Sequence, residues 1–572
     1  MSWEALSKQA QADLLNSIPA KWRIDAGAFT AVTDVSQIPK TCGVLSSRQI
    51  QITELTATEL AKRIASRQLK AVEVLDAFAA RAAISHQLVN CLTSWFLEEG
   101  MRQAQRLDKI LDAGGKPLGP LHGVPVALKD SYCMKGHPTT RGYVVNKDDV
   151  QHHDDTIVGT LRAAGAVFFC RTTMPQTGMA LETVSNLWGR TLNPFNTKLV
   201  AGGSSGGDSA LVAMRGCPIA PSSDIGGSIR IPAAFNGLYA IRPTSLRIPK
   251  AGWGGSKTGQ TSIRDSVGPV CHSVEDVRMF TQILTGNPSN RYDVCSVPMP
   301  WRDLSLPKGK LVVGIMNWDG AVMPQPPVLR AMAHTRQALQ KAGFEGKGFL
   351  FSQSNKKLCL NSITVIEFQP PFDCWELAKC TFDIYFQEAG EETLAKLKPT
   401  GEPLIPAFAN LLKVYNARHL TALQLCHLNM RMRGFKEQFA DAWMQTNRIT
   451  SSGRPMDALI CPAAPSAGAP HDFNAYWGYT SMFNFLDYPS TILPVKNFKI
   501  DPRIDRLDAT YQPLTSNPYD KAYHAMYNAE LFANQPSSIQ IVGRPFDDEE
   551  LIEVTSEIDN ILKTTGQVKS NL

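Results

Sequence analysis

Two serines with glycine neighbours lie 24 positions apart and are the first residues in this chain whose types and spacing suggest chemistry. Ser204 stands in GGSSGG and Ser228 stands in DIGGSIR. Glycine beside a serine permits a positive φ and lets a ligand approach the backbone closely. Backbone N–H groups that lead into a helix favour a developing negative charge. GGSSGG alone is equally compatible with a flexible loop or a phosphate site, but the second segment favours a serine nucleophile.

A lysine upstream adds a third group. Lys129 lies near the end of GVPVALKD at positions 123–130, a run that predicts a short buried strand ending in a charged pair. Such a lysine can extend its ammonium group to the surface. It can also stay buried with an altered proton affinity. The two serine segments downstream favour the second interpretation.

The combination suits hydrolysis of an amide. This reaction needs a nucleophile, a route for its proton and donors for the tetrahedral oxyanion, and the poor leaving nitrogen must be protonated as it departs. None of the segments GVPVALKD, GGSSGG and DIGGSIR contains a histidine. A Ser-His-Asp relay is therefore not supported, and the sequence offers two serines and a lysine instead.

Together, LHGVPVALKD, GGSSGG and DIGGSIR resemble the amidase signature family of serine hydrolases, and within it the acetamidase-type amidases of fungi. The resemblance runs from about position 52 to 544. It implies that Ser228 is the acylated nucleophile, that Ser204 bridges the proton transfer, and that Lys129 is the base. The spacing agrees with the family, since Lys129 lies 75 positions before Ser204.

The resemblance also implies a substrate-binding set. Its oxyanion donors are the backbone N–H groups of Ile225, Gly226, Gly227 and Ser228. By the same alignment, Gly178 contributes a backbone group beside the reacting centre and Met179 lines the acyl pocket, although Met179 is equally compatible with core packing. We expect Ser205 to support the relay by a hydrogen bond. Asp224 and Arg230 are predicted to form an ion pair that holds the nucleophile loop.

Composition limits the remaining classes of function. The chain has 572 residues, of which 43% are hydrophobic and 19% charged, which is a globular balance rather than a disordered one. A net charge of +6 without a long basic run does not indicate nucleic acid binding. No apolar stretch of about 20 residues occurs, so no membrane span is expected. The N-terminus has no secretory pattern and the twelve cysteines are scattered, so we expect reduced thiols and a cytoplasmic protein.

Strand patterns that alternate with helical patterns predict an α/β fold. The resemblance implies one large domain, a mixed β-sheet covered by helices on both faces. We expect a helical N-terminal extension over 1–50, the amidase signature domain over 51–572, and a variable region at about 300–450 that shapes the substrate entrance. Local patterns predict a capping box at Thr56 and Glu59, and helices near 70–86, 328–342 and 412–442. A strand is predicted at Leu311–Ile315.

The predicted function is hydrolysis of a carboxamide to a carboxylic acid and ammonia or an amine, through an acyl-enzyme. The expected partner is a small-molecule amide, and no metal or cofactor is expected. The sequence does not decide whether the protein forms a homodimer. Two alternatives remain: the glutaminase subunit of a tRNA-dependent amidotransferase, and a catalytically silent protein of the same fold. The N-terminal extension and the long 300–450 region argue against the first, and the intact Lys129, Ser204 and Ser228 argue against the second.

Overall fold

The main elements come from a computed structural model, which describes residues 1–255, 259–286, 293–294, 296–304, 311–344, 363–450, 452–496 and 498–565. Its α-helices are α1 Trp3–Ser17, α2 Ile38–Thr41, α3 Ser47–Thr53, α4 Ala57–Ala65, α5 Ala71–Val89, α6 Leu97–Asp112, α7 Thr156–Ala163, α8 Gly206–Ala213, α9 Arg230–Phe235, α10 Val274–Thr285, α11 Pro326–Phe344, α12 Cys374–Tyr385, α13 Glu391–Leu397, α14 Pro406–Val414, α15 Ala422–Gln445, α16 Gly478–Leu486, α17 Pro518–Met526 and α18 Asp548–Thr565. Its strands are β1 Leu92–Trp95, β2 Pro125–Lys129, β3 Val167–Thr172, β4 Val184–Ser185, β5 Gly189–Arg190, β6 Leu192–Asn193, β7 Asn196–Val200, β8 Ala220–Asp224, β9 Tyr239–Arg242, β10 Ser266–Cys271, β11 Leu311–Ile315, β12 Ile363–Glu367, β13 Ala458–Pro462, β14 Ser490–Pro494 and β15 Ser538–Val542. Short 3₁₀ turns lie at Ala20–Trp22, Ala26–Phe29, Val144–Asn146, Gln176–Gly178 and Thr446–Arg448.

An eight-stranded mixed sheet forms the centre of the described chain, in the order β12-β11-β13-β15-β14-β9-β10-β8. β11 pairs in parallel with β12 and β13, whereas the pairs from β13 to β8 are antiparallel. β8 to β11 and β13 and β14 are buried at every position, because helices cover both faces. The predicted α/β fold with a mixed sheet is confirmed.

A smaller sheet carries the lysine. Its order is β1-β3-β2, with β2 parallel to β3 and Lys129 opposite Thr172. Val126, Ala127 and Leu128 are completely buried, so this strand fixes the Lys129 backbone inside the protein. The strand predicted at 123–130 is thus present, slightly shortened.

Both serine segments lie at the start of helices. GGSSGG leads into α8, and DIGGSIR connects the end of β8 to α9. These short turns need glycine, since Gly202 has a φ of +81° and Gly227 one of +132°. Each serine is therefore held between a rigid element and a constrained turn.

Several local predictions are confirmed. Thr56 and Glu59 form the capping box of α4, and Ser46 and Gln49 form another at α3. The predicted helix near 70–86 is α5, and the strand at Leu311–Ile315 has those bounds. Within the described part of the chain, no helix is both long and apolar enough to cross a membrane.

The prediction of a single helix over 412–442 is wrong. The structure divides it into α14 and α15, because Asn416 adopts a φ of +50° and Thr421 caps a new helix with Gln424. The region 300–450 also supplies β11 and β12 to the central sheet. Its predicted role at the substrate entrance stays a prediction. The predicted boundary between the N-terminal extension and the main domain at position 50 also stays a prediction, although α3 spans that position and packs against α5.

Candidate active site

Lys129 lies at the C-terminal end of β2 and is completely buried. Its Nζ is 2.8 Å from Ser204 Oγ, 2.8 Å from Ser205 Oγ and 3.1 Å from Ser223 Oγ. The structure therefore brings Lys129 together with the predicted Ser204 and Ser205. Ser223, which was not among the predicted site residues, completes a set of three hydroxyls around the amine.

The surroundings of Lys129 favour its neutral form. Burial lowers its pKa to about 8, and the negative charges of Asp208 and Asp224 limit this decrease. Burial also raises the pKa of Asp208 to about 6, against the attraction of Lys129. A substantial fraction of Lys129 is therefore unprotonated at mildly alkaline pH.

Asp208 is held by the elements around α8. Its carboxylate accepts a hydrogen bond from Ser222 Oγ at 2.7 Å and another from the Thr172 hydroxyl. Both donors are buried on strands, Ser222 on β8 and Thr172 on β3. The carboxylate thus couples the two sheets close to the lysine.

Asp224 organises the loop that carries Ser228. Its carboxylate accepts from the N–H of Gly227 at 2.8 Å and from Nε and Nη2 of Arg230 at 3.0 Å each. Burial raises the pKa of Asp224, but the Arg230 guanidinium and the Asn484 amide together hold it well below its usual range. The predicted ion pair of Asp224 and Arg230 is confirmed, with both side chains completely buried.

Ser228 is buried, and its hydroxyl has no hydrogen-bond partner among the described residues. Its carbonyl accepts from the N–H of Ser205 at 3.1 Å, which ties the two serine segments together. The hydroxyl is therefore not engaged by another protein group of the described chain. A direct hydrogen bond between Ser204 and Ser228 is not formed in this structure, so that step of the relay stays a prediction.

The four predicted oxyanion donors differ in their hydrogen bonds. The N–H of Gly227 already donates to Asp224. In the part of the chain that the structure describes, the N–H groups of Ile225, Gly226 and Ser228 donate to no protein acceptor. These three remain available to a substrate oxygen, whereas Gly227 shapes the loop.

Gly178 and Met179 lie on a neighbouring turn. Gly178 ends the 3₁₀ turn Gln176–Gly178 with a φ of +68°. Met179 is completely buried, and its N–H donates to Thr177 Oγ1 at 3.1 Å. Its side chain belongs to the same apolar cluster as Ile225 and Trp477. This placement suits core packing and a pocket wall equally, so the role of Met179 stays a prediction.

Further residues that fix the loop come from distant parts of the chain. Tyr385 donates its hydroxyl hydrogen to the carbonyl of Ile225, and Thr480 Oγ1 lies 2.8 Å from the carbonyl of Gly226. Asn484 Nδ2 donates to Asp224 Oδ1 at 2.9 Å. These contacts join positions at least 160 residues apart, and no local sequence pattern could have indicated them.

Within the described ranges, the side chains of His, Cys, Asp and Glu form no group of three or more that could hold a metal ion. In the run His152-His153-Asp154-Asp155, the two aspartates have structural partners. Asp155 caps α7 through the N–H of Val158, and Asp154 pairs with Arg162 at 2.9 Å.

The chain is similar to several known proteins over most of its length. Residues 73–552 match the family described as Amidase. The chain is 56% identical over 563 residues to an amidase of Gibberella zeae, covering 98% of this chain and 100% of that protein. It is 34% identical to an acetamidase of Emericella nidulans, covering 98% of each chain. A solved structure of a fatty acid amide hydrolase superposes with a TM-score of 0.88 at 31% identity, covering 98% of this chain and 95% of that chain.

Proposed function

The chain belongs to the amidase family and is an amide-hydrolysing enzyme, and from this premise we propose that it works through a Ser-Ser-Lys relay and an acyl-enzyme. The observation that carries the proposal is the buried Lys129 Nζ, 2.8 Å from Ser204 Oγ and with its pKa lowered to about 8. A neutral amine donates two hydrogen bonds and accepts one. All three hydroxyl oxygens lie within hydrogen-bond distance of Nζ, so the amine, once neutral, can donate to two of them and accept a proton from the third, Ser204.

In the acylation step, Ser228 Oγ attacks the carbonyl carbon of the amide and a C–O bond forms. The Ser228 proton moves to Ser204, and the Ser204 proton moves to Lys129. The negative charge on the carbonyl oxygen is met by the backbone N–H groups of the 225–228 loop. The tetrahedral intermediate then breaks its C–N bond. The leaving nitrogen takes a proton from Ser204, which regains one from Lys129.

Deacylation repeats the route with water as the nucleophile. Water attacks the ester carbon while its proton passes through Ser204 to Lys129. The bond to Ser228 Oγ breaks, Ser228 recovers a proton by the reverse route, and a carboxylic acid leaves. The net reaction consumes one water and yields the acid with ammonia or an amine.

The substrate is proposed as a small-molecule carboxamide. The names of the relatives range from acetamidase to fatty acid amide hydrolase, so the acyl length is a matter for experiment. Release of ammonia or an amine from a panel of acetamides, aryl acetamides and longer acyl amides would identify it. The cytoplasmic location and the homodimer stay predictions from the sequence.

The nucleophile can be tested without knowing the substrate. A fluorophosphonate should label the wild type once, at Ser228, because a serine activated by the relay attacks phosphorus and expels fluoride. Ser228→Ala should lose the label and essentially all amide turnover. Intact-mass and peptide mass spectrometry locate the adduct.

Ser209→Ala is the matched control. Ser209 is also completely buried, and its hydroxyl likewise has no partner among the described residues. This variant should label and turn over like the wild type. Labelling at a different residue, or turnover by Ser228→Ala above about 1% of the wild type, would reject the assignment.

A further inference from the structure

The carbonyl groups of residues 224 to 227 are each held by a group that lies outside the loop. Asp224 O accepts from Asn484 Nδ2 at 3.4 Å, and Ile225 O accepts from the Tyr385 hydroxyl. Gly227 O accepts from the N–H of Ile231 at 2.8 Å. The side chain or backbone group that fixes each carbonyl thus lies on α12, α16 or α9 rather than on the loop.

These carbonyls determine where the N–H groups point. The loop has no cis peptide bond, and a trans peptide directs its C=O and its N–H to opposite sides. Holding Asp224 O, Ile225 O and Gly227 O outward therefore turns the N–H groups of the following residues inward. The following residues are Ile225, Gly226 and Ser228, the same three whose N–H groups have no protein acceptor in the described chain.

The peptide between Gly226 and Gly227 has its carbonyl held in the same way, but its N–H differs because it has a protein acceptor. The carbonyl of Gly226 accepts from Thr480 Oγ1 at 2.8 Å, while the N–H of Gly227 donates to Asp224 Oδ1 at 2.8 Å. Both ends of this peptide are satisfied within the protein. The loop therefore separates three inward donors from one structural donor.

Tyr385 is the anchor best suited to a single purpose. It is the last residue of α12 and is completely buried, with its ring perpendicular to that of Phe382 at 5.6 Å. Burial raises the pKa of its phenol far above the ordinary value, so the hydroxyl stays a donor at every working pH. Asn484, by comparison, also holds the Asp224 carboxylate.

We propose that Tyr385 is a positioning residue for the oxyanion site, acting through the Ile225 carbonyl to aim the N–H of Gly226 at the substrate oxygen. The proposal rests on the proposed function, because it assigns a purpose to a peptide of that same site. It gives the region at 300–450 a part in the chemistry in addition to its predicted part at the entrance. Tyr385 itself touches no reacting atom.

The test is the rate of fluorophosphonate labelling of Ser228 in the full-length Tyr385→Phe variant. This change keeps the ring and removes only the donor. Loss of one oxyanion donor costs about 100- to 1000-fold in rate, and a misaimed donor costs less, so we expect labelling to slow about tenfold. A chain with 4-aminophenylalanine at position 385, which keeps a donor at the same ring position, should recover most of the rate.

Tyr415→Phe is the matched control. Tyr415 lies in the same aromatic cluster, stacked on Phe382 at 3.7 Å. It should label within about twofold of the wild type. Circular dichroism gives the folded fraction by which each rate is divided.

A second measurement separates positioning from stability. A trifluoromethyl ketone adds to Ser228 as an oxyanion, whereas the carboxylate product binds without forming one. Tyr385→Phe should weaken the ketone about tenfold and leave the affinity for the carboxylate, and KM, nearly unchanged. A purely structural role would weaken both ligands alike.

Several outcomes would overturn the proposal. They are labelling of Tyr385→Phe at the wild-type rate, equal slowing in Tyr415→Phe, no recovery with 4-aminophenylalanine, or a Tyr385→Phe chain that does not fold. The proposed function fails separately, through labelling at a residue other than Ser228 in the wild type.

Discussion

At the scale of single residues, the ammonium group of Lys129 should set the acid limb of the pH profile. The base must be neutral in the free enzyme, and its pKa is about 8. Below that pH, kcat/KM should fall about tenfold per pH unit, because protonation removes the lone pair; above it, the rate should level off. Profiles of wild type and variants with one amide substrate measure this.

Lys129→Ala should lose at least a thousandfold in kcat/KM along with the acid limb. Lys129→Arg should not restore it, since a guanidinium stays protonated. Lys496→Arg is the control, because Lys496 also has a pKa lowered by burial but lies in contact with Tyr239 instead. Near wild-type activity of Lys129→Arg, with an unchanged profile, would make Lys129 structural.

The residues of the relay could be predicted because their chemistry is local in sequence. Each of the three residues, Lys129, Ser204 and Ser228, stands in a short segment with unusual neighbours. The structure places Ser204 Oγ within hydrogen-bond distance of Lys129 Nζ. Ser223 and Asp208 were missed as parts of this site, because a serine on a strand and an aspartate on a helix have many ordinary uses. Burial and the shifted pKa of Asp208 become visible only in three dimensions.

At the scale of elements, the nucleophile loop fits tightly against Trp477, which precedes α16, and against the end of α12. A Cβ added at Gly226 would lie 2.7 Å from Trp477 Cε3 and 3.2 Å from the Tyr385 hydroxyl oxygen. Trp477 is almost completely buried, so its ring has little room to move. The absence of a side chain at 226 is what allows the loop to approach this ring.

Gly226→Ala should therefore displace the loop. We expect kcat to fall about 100-fold, as for loss of an oxyanion donor, and the free energy of unfolding to fall by about 1–3 kcal/mol from overpacking. Steady-state kinetics and denaturant unfolding measure the two effects. A variant that lost stability but kept kcat would show that this peptide does not serve the reaction.

Gly434→Ala provides the comparison for that variant. Gly434 lies within α15, and a Cβ there would meet no atom within 4 Å. Alanine in a helix is favoured over glycine by about 1 kcal/mol. This variant should be slightly more stable than the wild type and equally active.

The elements themselves were predictable to different degrees. Caps and buried strands follow local rules, and the box at Thr56 and the strand at Leu311–Ile315 have the predicted character. The break between α14 and α15 follows from a left-handed Asn416, which sequence periodicity does not reveal. The contact of α12 with the loop depends on tertiary packing between segments 160 residues apart.

At the scale of the whole molecule, the C-terminal helix is fastened to the centre of the chain. Arg247, after β9, pairs with Asp548 at 3.3 Å and with Glu549 at 2.7 Å, and all three side chains are buried. α18 also packs apolar residues such as Leu551 and Ile558 into the main core. We therefore expect α18 to unfold in the same cooperative unit as the central sheet.

The Arg247→Met variant tests whether α18 unfolds together with the central sheet. Removing the guanidinium leaves two buried carboxylates without this partner, and breaking a buried pair costs about 3–5 kcal/mol. In a chain of this length, that corresponds to a fall of about 2–4 °C in the thermal midpoint. Arg544→Met is the control, because its pair with Asp547 at 2.8 Å is exposed at the surface, where such pairs contribute about 0–1 kcal/mol.

The difference in thermal midpoint between wild type and Arg247→Met should depend on pH. In the wild type, burial raises the pKa of Glu549, but Arg247 and Arg302 lower it by a larger amount. The pKa of Glu549 therefore lies below its ordinary value. Its stabilising contribution is present above the unfolded pKa and is lost on acidification. Without Arg247 the carboxylate pKa should rise, so the folded variant takes up protons and gains stability as the pH falls. The difference in midpoint between wild type and Arg247→Met should thus be largest near pH 7 and shrink toward pH 5.

Differential scanning calorimetry at both pH values should show one transition that shifts as a whole; a separate early transition for part of the chain would contradict a single cooperative domain.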